Sequence, residues 1–309
     1  VDRRQFLLSA ALTAAAPEPG RSLVYKKAGG CDIKAEVYGA PTGAKLPAAV
    51  WIHGGALIAG SRKLASDSPA LRSLLDAGFR VISIDYRLAP ETKLPAIIED
   101  VEDAFRWMRA NAGMLEIDAE RLVVCGSSAG GYLTLMTGFR VKPRPRALVS
   151  YWGYGDITGA WYSRPDPFYL KQPAVSREEA LASVGRVALS EPPEKHDRFR
   201  FYLYCRQQGI WPQEVAGRDP DKENRWFDPY CPVRNVTREH PPTRLVHGTA
   251  DTDVPYEQSK LMAKALGGAG VAHQLVTVPE GGHGIGNISA DERARIYGEA
   301  AAFLKQHVG

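Results

Sequence analysis

The sequence predicts an α/β fold: a mostly parallel central sheet with helices on both faces, interrupted by one cap-like insertion. Three observations lead there. Apolar runs of strand length alternate with segments of helical spacing through most of the chain. One run, Leu122-Val-Val-Cys125, passes directly into Gly126-Ser-Ser128-Ala-Gly130 and then into a helix-compatible segment. The alternation breaks from about residue 153 to 242, in a stretch rich in Pro and aromatic residues, and then resumes.

The elements follow in chain order. Ser22–Lys27 and Asp32–Tyr38 alternate in polarity around Ala28-Gly-Gly30, which predicts two antiparallel strands. Ala48–Ile52 is continuously apolar, as a strand buried on both faces requires, and it ends in His53-Gly54-Gly55-Ala56. Ser66–Ala77 has helical spacing and stops at Gly78. Phe79–Ile84 is a strand, followed by Asp85-Tyr-Arg-Leu-Ala-Pro-Glu91 and a helical pattern over Ile97–Ala110. After the Leu122 strand comes another at Arg146–Tyr151. Within the insertion, Ser176–Leu189 and His196–Gln208 have helical character. The closing elements are strands at Thr243–His247 and His273–Val278 and helices at Tyr256–Leu266 and Ala290–His307.

Composition narrows the class. The chain has 309 residues, 44% hydrophobic and 24% charged, which suits one domain of residues 21–309 carrying an insertion at about 153–242. Net charge is +4 with Lys and Arg scattered, so a nucleic-acid footprint is not expected. The amino terminus, with Arg3-Arg4-Gln-Phe6-Leu and a short apolar run to Ala16, resembles a bacterial twin-arginine export signal. Residues 1–20 are therefore expected to be that signal, cut after Ala16, with a periplasmic or extracellular product. No later run reaches the roughly 18 apolar residues of a membrane helix, so stable membrane insertion is not expected. Of the four cysteines, Cys205 and Cys231 share the insertion, and a bridge between them stays open.

The chemistry centres on Ser128. A strand turns into a helix within so few residues only if the flanking side chains are tiny, which accounts for Gly126 and Gly130. The bend lifts the Ser128 hydroxyl away from the backbone. Further reactive residues fall at strand ends, the edge where open parallel sheets bind ligands. The His53-Gly-Gly-Ala56 loop exposes backbone N–H groups to an oxyanion. Asp251 and Asp253 follow the Thr243 strand; Asp251 is assigned the role of holding an imidazole, and Asp253 the turn-capping duty common for Asp. His283, among glycines after the last strand, completes the order Ser…Asp…His. His53 is read as ordering its own loop, and His247 and His273 as strand residues. No metal-ligand spacing occurs, and no cofactor is expected.

Together His53-Gly-Gly-Ala56, Asp85–Glu91, Gly126–Gly131, His247-Gly-Thr-Ala-Asp251 with Val254-Pro255, and Gly282-His283-Gly284 resemble the α/β-hydrolase superfamily. The likeness is to its esterase/lipase branch, related to hormone-sensitive lipase and to bacterial acetyl- and feruloyl-esterase-like enzymes. The aspartate segment and following Val-Pro also resemble those of prolyl-oligopeptidase-type peptidases. The resemblance implies Ser128 as nucleophile, His283 as base and Asp251 as its orienting acid. The N–H groups of Gly55, Ala56 and Ala129 would form the oxyanion hole, although the branch often has a third glycine where Ala56 stands. Such an enzyme would cleave small-molecule carboxylic esters through an acyl-enzyme, losing activity below roughly pH 6 as the imidazole protonates. Trp161, Tyr162 and Phe168 of the insertion are expected to contact substrate. The alternatives are an aminopeptidase or amidase on the same residues, and a non-catalytic binding protein on a hydrolase scaffold.

Overall fold

A computed structural model describes residues 20–193 and 197–309. Residues 1–19 of the expected export segment, and His196, lie outside the described residues.

Eight strands form one sheet: β1 (Arg21–Ala28), β2 (Cys31–Tyr38), β3 (Leu46–Ile52), β4 (Arg80–Ile84), β5 (Ile117–Ser127), β6 (Leu148–Tyr151), β7 (Thr243–Gly248) and β8 (His273–Val278). Their order is β1-β2-β4-β3-β5-β6-β7-β8. β2 pairs antiparallel with both β1 and β4; all other pairs are parallel. The period of two sorts β3 onto both faces: Ala48, Val50 and Ile52 join one apolar cluster, Ala49 and Trp51 the other.

Helices cover both faces. α1 (Pro69–Asp76) and α11 (Ala290–Gln306) pack on one side; α2 (Leu94–Ala110), with the one-turn α3 (Ala112–Leu115) after it, α4 (Ala129–Arg140) and α10 (Glu257–Gly268) lie on the other. α1 is shorter than its sequence pattern because Ser68 caps it, accepting from the Leu71 N–H. α2 starts at Leu94, earlier than expected, with Pro95 preset for a first turn.

Between β6 and β7 lie α5 (Ala160–Ser163), α6 (Arg177–Ala182), α7 (Phe199–Gln208), α8 (Trp211–Ala216), α9 (Pro220–Glu223) and short 3₁₀ turns. The helix expected over Ser176–Leu189 ends at Ala182. A tertiary partner ends it: the Gly185 N–H donates to Glu91 Oε1 at 2.6 Å. Tyr162, Phe201, Trp211 and Phe227 are fully buried and continuous with the cluster beneath α2 and α4. All four cysteines are free thiols, so Cys205 and Cys231 are not bridged.

Candidate active site

The β5–α4 turn holds Ser128 at φ 55°, ψ −120°, a left-handed conformation for a residue with a side chain. Such backbone strain costs on the order of 1–3 kcal/mol and persists only when neighbours over-determine it. Here they do. A Cβ on Gly126 would lie 2.5 Å from the Gly130 carbonyl oxygen, and one on Gly130 would lie 2.0 Å from that of Ile52. The Ser128 N–H is fixed to the Tyr151 carbonyl at 2.9 Å.

The Asp251 and His283 loops touch through backbone. A Cβ on Gly248 would sit 2.0 Å from the Gly281 oxygen, and the Ala250 N–H donates to that same oxygen at 3.0 Å. This contact brings the side chains into line. His283 Nδ1 donates to Asp251 Oδ2 at 2.8 Å, leaving the Nε2 lone pair for Ser128 Oγ at 3.2 Å. Burial opposes charge on Asp251, but hydrogen bonds from His247 and His283 outweigh it and hold the carboxyl well below its usual range. Burial likewise opposes charge on His283, yet the Asp251 hydrogen bond and the charges of Asp253 and Asp251 leave its pKa raised.

The oxyanion candidates come from two elements, Gly55 and Ala56 from the loop after β3 and Ala129 from the start of α4. Among the described residues, no acceptor lies within hydrogen-bond reach of the N–H groups of Gly55, Ala56 or Ala129. Ala56 itself adopts φ 57°, where glycine is favoured, so the substitution is tolerated under strain. Its carbonyl is tied to the Trp211 indole at 3.0 Å. His53 orders this loop: Nδ1 donates to the Gly54 carbonyl at 2.7 Å and the ring stacks on Tyr86. Burial pushes the His53 pKa down to about 4, so the ring is neutral near pH 7.

Several sequence expectations need correction. The division of labour between the two aspartates is different. Asp251 does the turn capping itself, its Oδ1 accepting from the Asp253 and Val254 N–H groups at 2.9 Å each. Asp253 faces the insertion, where its Oδ1 accepts from Arg206 at 2.7 Å, Tyr169 at 2.8 Å and Tyr202. Tyr162 does not line a substrate surface: it is 1% exposed, sandwiched between Trp161 and Trp211 at 3.6 and 4.1 Å between ring centres. Phe168 is exposed, and it is the adjacent Tyr169 that reaches Asp253. Trp161 is partly buried, donating its indole N–H to the Asp156 carbonyl at 3.2 Å.

Sequence reasoning also passed over His247. Its Nε2–H is shared by the Val254 carbonyl at 2.9 Å and Asp251 Oδ2 at 3.3 Å, which backs the aspartate from inside β7. The spacing of four residues between them at a strand end was the available signal. Arg206, Tyr169 and Tyr202 carried none, because their partners are distant in sequence. A cavity of about 370 Å³ borders Asp253, walled by Tyr169, Val175, Phe199, Tyr202 and Leu203.

The mostly parallel eight-stranded sheet with helices on both faces is the α/β-hydrolase fold. Comparison with known proteins agrees. The BD-FAE family model matches residues 36–145, and the prolyl oligopeptidase family model matches residues 201–309. The esterase LipC of Mycobacterium tuberculosis is 27% identical over 84% of this chain and 58% of its own length. The non-reducing polyketide synthase ausA of Aspergillus calidoustus is 29% identical over 92% of this chain, which spans only 14% of that protein. Among solved structures, the hyperthermophilic esterase of the archaeon Pyrobaculum calidifontis is 25% identical with a TM-score of 0.68, covering 94% of this chain and 86% of its own. These matches are consistent with the esterase/lipase branch of the α/β-hydrolase superfamily.

Proposed function

We propose that the chain is a serine hydrolase of small-molecule carboxylic esters. The observation that carries this reading is the unbroken line from Asp251 through His283 to Ser128, at 2.8 and 3.2 Å. His283 takes the Ser128 proton on Nε2 while Oγ attacks the ester carbonyl. The carbonyl electron pair moves onto oxygen, and the N–H groups of Gly55, Ala56 and Ala129 stabilise it. Collapse breaks the ester C–O bond, and Nε2 returns its proton to the leaving alcohol. Water, deprotonated by the same imidazole, then releases the acid. The names of the similar LipC and Pyrobaculum proteins support the ester class.

Amide cleavage is the second reading, favoured by the match to the prolyl oligopeptidase family over residues 201–309. That segment holds the Asp251 and His283 loops, which both chemistries share. One assay separates them: p-nitrophenyl acetate and butyrate beside aminoacyl-p-nitroanilides, with Ser128→Ala as blank. The ester rates should exceed the anilide rates, and the blank should lose roughly 10⁴-fold or more. Faster anilides would reassign the enzyme. A wild type that neither turns over either substrate nor labels with a fluorophosphonate would make it a binding protein.

We also propose export through the twin-arginine-like run at Arg3-Arg4. Replacing both arginines with lysine in an export reporter should keep the product inside the cell; unchanged export would refute it.

A further inference from the structure

We propose that Asp253 is a positioning residue for the base, holding the His283 imidazolium at Nε2 while Asp251 holds it at Nδ1. The inference rests on the hydrolase reading above. Asp253 Oδ2 lies 3.3 Å from His283 Nε2, beside the 3.2 Å contact of that nitrogen with Ser128 Oγ. One nitrogen therefore has two oxygens within reach, and they do opposite things. While Nε2 carries a lone pair, only the Ser128 hydroxyl can donate to it; the carboxylate has no proton to give. Once Nε2 takes the serine proton, the carboxylate becomes an acceptor and a compensating charge.

The rest of the Asp253 carboxylate is spoken for. Its Oδ1 is fixed by Arg206, Tyr169 and Tyr202, so Oδ2 is the oxygen left for the base. Arg206 is 1% exposed at its side chain and also pairs with Asp166 at 2.5 Å. It is enclosed by the rings of Trp161, Tyr162, Tyr169 and Tyr202. The carboxylate is thus anchored from the insertion and aimed at the base.

Other charged groups near the imidazole are accounted for. Asp251 sits on Nδ1, with His247 behind it. The Arg206 charge acts against protonation from the far side of Asp253. Arg293 of α11 spends its guanidinium on the carbonyls of Gly286 and Ile288. The consequence is a stronger base and an acid limb at higher pH than a single orienting aspartate would give. The fall in activity is then displaced toward higher pH relative to an ordinary imidazole.

The test compares wild type, Asp253→Asn and Tyr202→Phe. The pH dependence of kcat/KM for p-nitrophenyl acetate is read beside the NMR titration of the His283 ring, assigned by its loss in His283→Gln. Asp253→Asn should move both curves toward acid by roughly half a pH unit or more. Tyr202→Phe removes a donor to Asp253, strengthens its pull on the imidazolium, and should move both toward alkali by a smaller step. A purely structural role would lower kcat or melting temperature and leave the ring titration in place; coincident titrations in wild type and Asp253→Asn overturn the proposal. If Asp253→Asn does not fold, Tyr202→Phe decides: an unchanged or acid-shifted ring overturns it. If the wild type turns over no ester and labels with no fluorophosphonate, the hydrolase reading fails, while the ring titration still judges Asp253.

Discussion

α7 carries an arginine at each end, and the two have the same burial but different partners. Arg198, at its start, is 2% exposed and binds the carbonyls of Ile58 at 2.5 Å and Ala89 at 2.6 Å, with both Glu91 oxygens at 2.7 Å. Arg206, near its end, holds Asp253 and Asp166. The first fastens the insertion to the loop after β3 and to the Ala89–Glu91 segment. The second fastens it to a carboxylate that lies against the His283 ring. Residue type and burial do not decide what a buried arginine does; the next atom beyond its partner does. Each end of the helix therefore predicts a different failure: loss of stability at one, altered proton transfer at the other.

The largest separation comes from cutting the proton line itself. Asp251→Asn keeps an oxygen for the Asp253 and Val254 N–H groups, so the turn should survive and melting change little. It leaves His283 without its acceptor, and kcat should fall about 10⁴-fold. A fall below tenfold would remove Asp251 from the chemistry.

Arg198→Gln should do the reverse. It strands the Glu91 carboxylate, which burial opposes and Arg198 keeps well charged. Unfolding in urea should show a loss of about 3–5 kcal/mol. The acid limb of the surviving activity should stay where it is in wild type. A shifted limb would erase the distinction between the two arginines.

The smallest effect sharpens the scaffold side. Burial pushes His53, in the oxyanion loop, and His240, beneath α4, down to about 4. Their unfolded values lie near 6.5, so between pH 6.5 and 4 the unfolded chain binds more protons than the folded one. Stability should therefore fall as pH drops through that window, after the acid limb of activity has begun. A melting temperature constant from pH 6.5 to 4.5 would show that these rings are not buried and neutral.

Much of the site was legible because its pieces are local. Gly126 and Gly130 flank Ser128 within one turn, and no other residue type fits the 2.0–2.5 Å gaps they leave. His283 stood out by its glycine neighbours. The insertion was less legible. Its aromatics announced burial, but Tyr162 and Phe168 could not be sorted into packing and surface without knowing what stacks on each. The Ser176 helix was predicted too long, since the Glu91 carboxylate that takes the Gly185 N–H comes from a loop 94 residues away.

By itself the sequence determined the strand–helix rhythm, the strained elbow and the order Ser128, Asp251, His283 at successive strand ends. These depend on steric limits and periodicity, which act between near neighbours. The tertiary structure decided which aspartate caps and which faces the insertion, and which arginine anchors the aspartate beside His283. Those outcomes depend on charges brought to within 2.5–3.3 Å across long stretches of chain. Electrostatics at that range is set by distance in space, and spacing along the polypeptide holds no record of it.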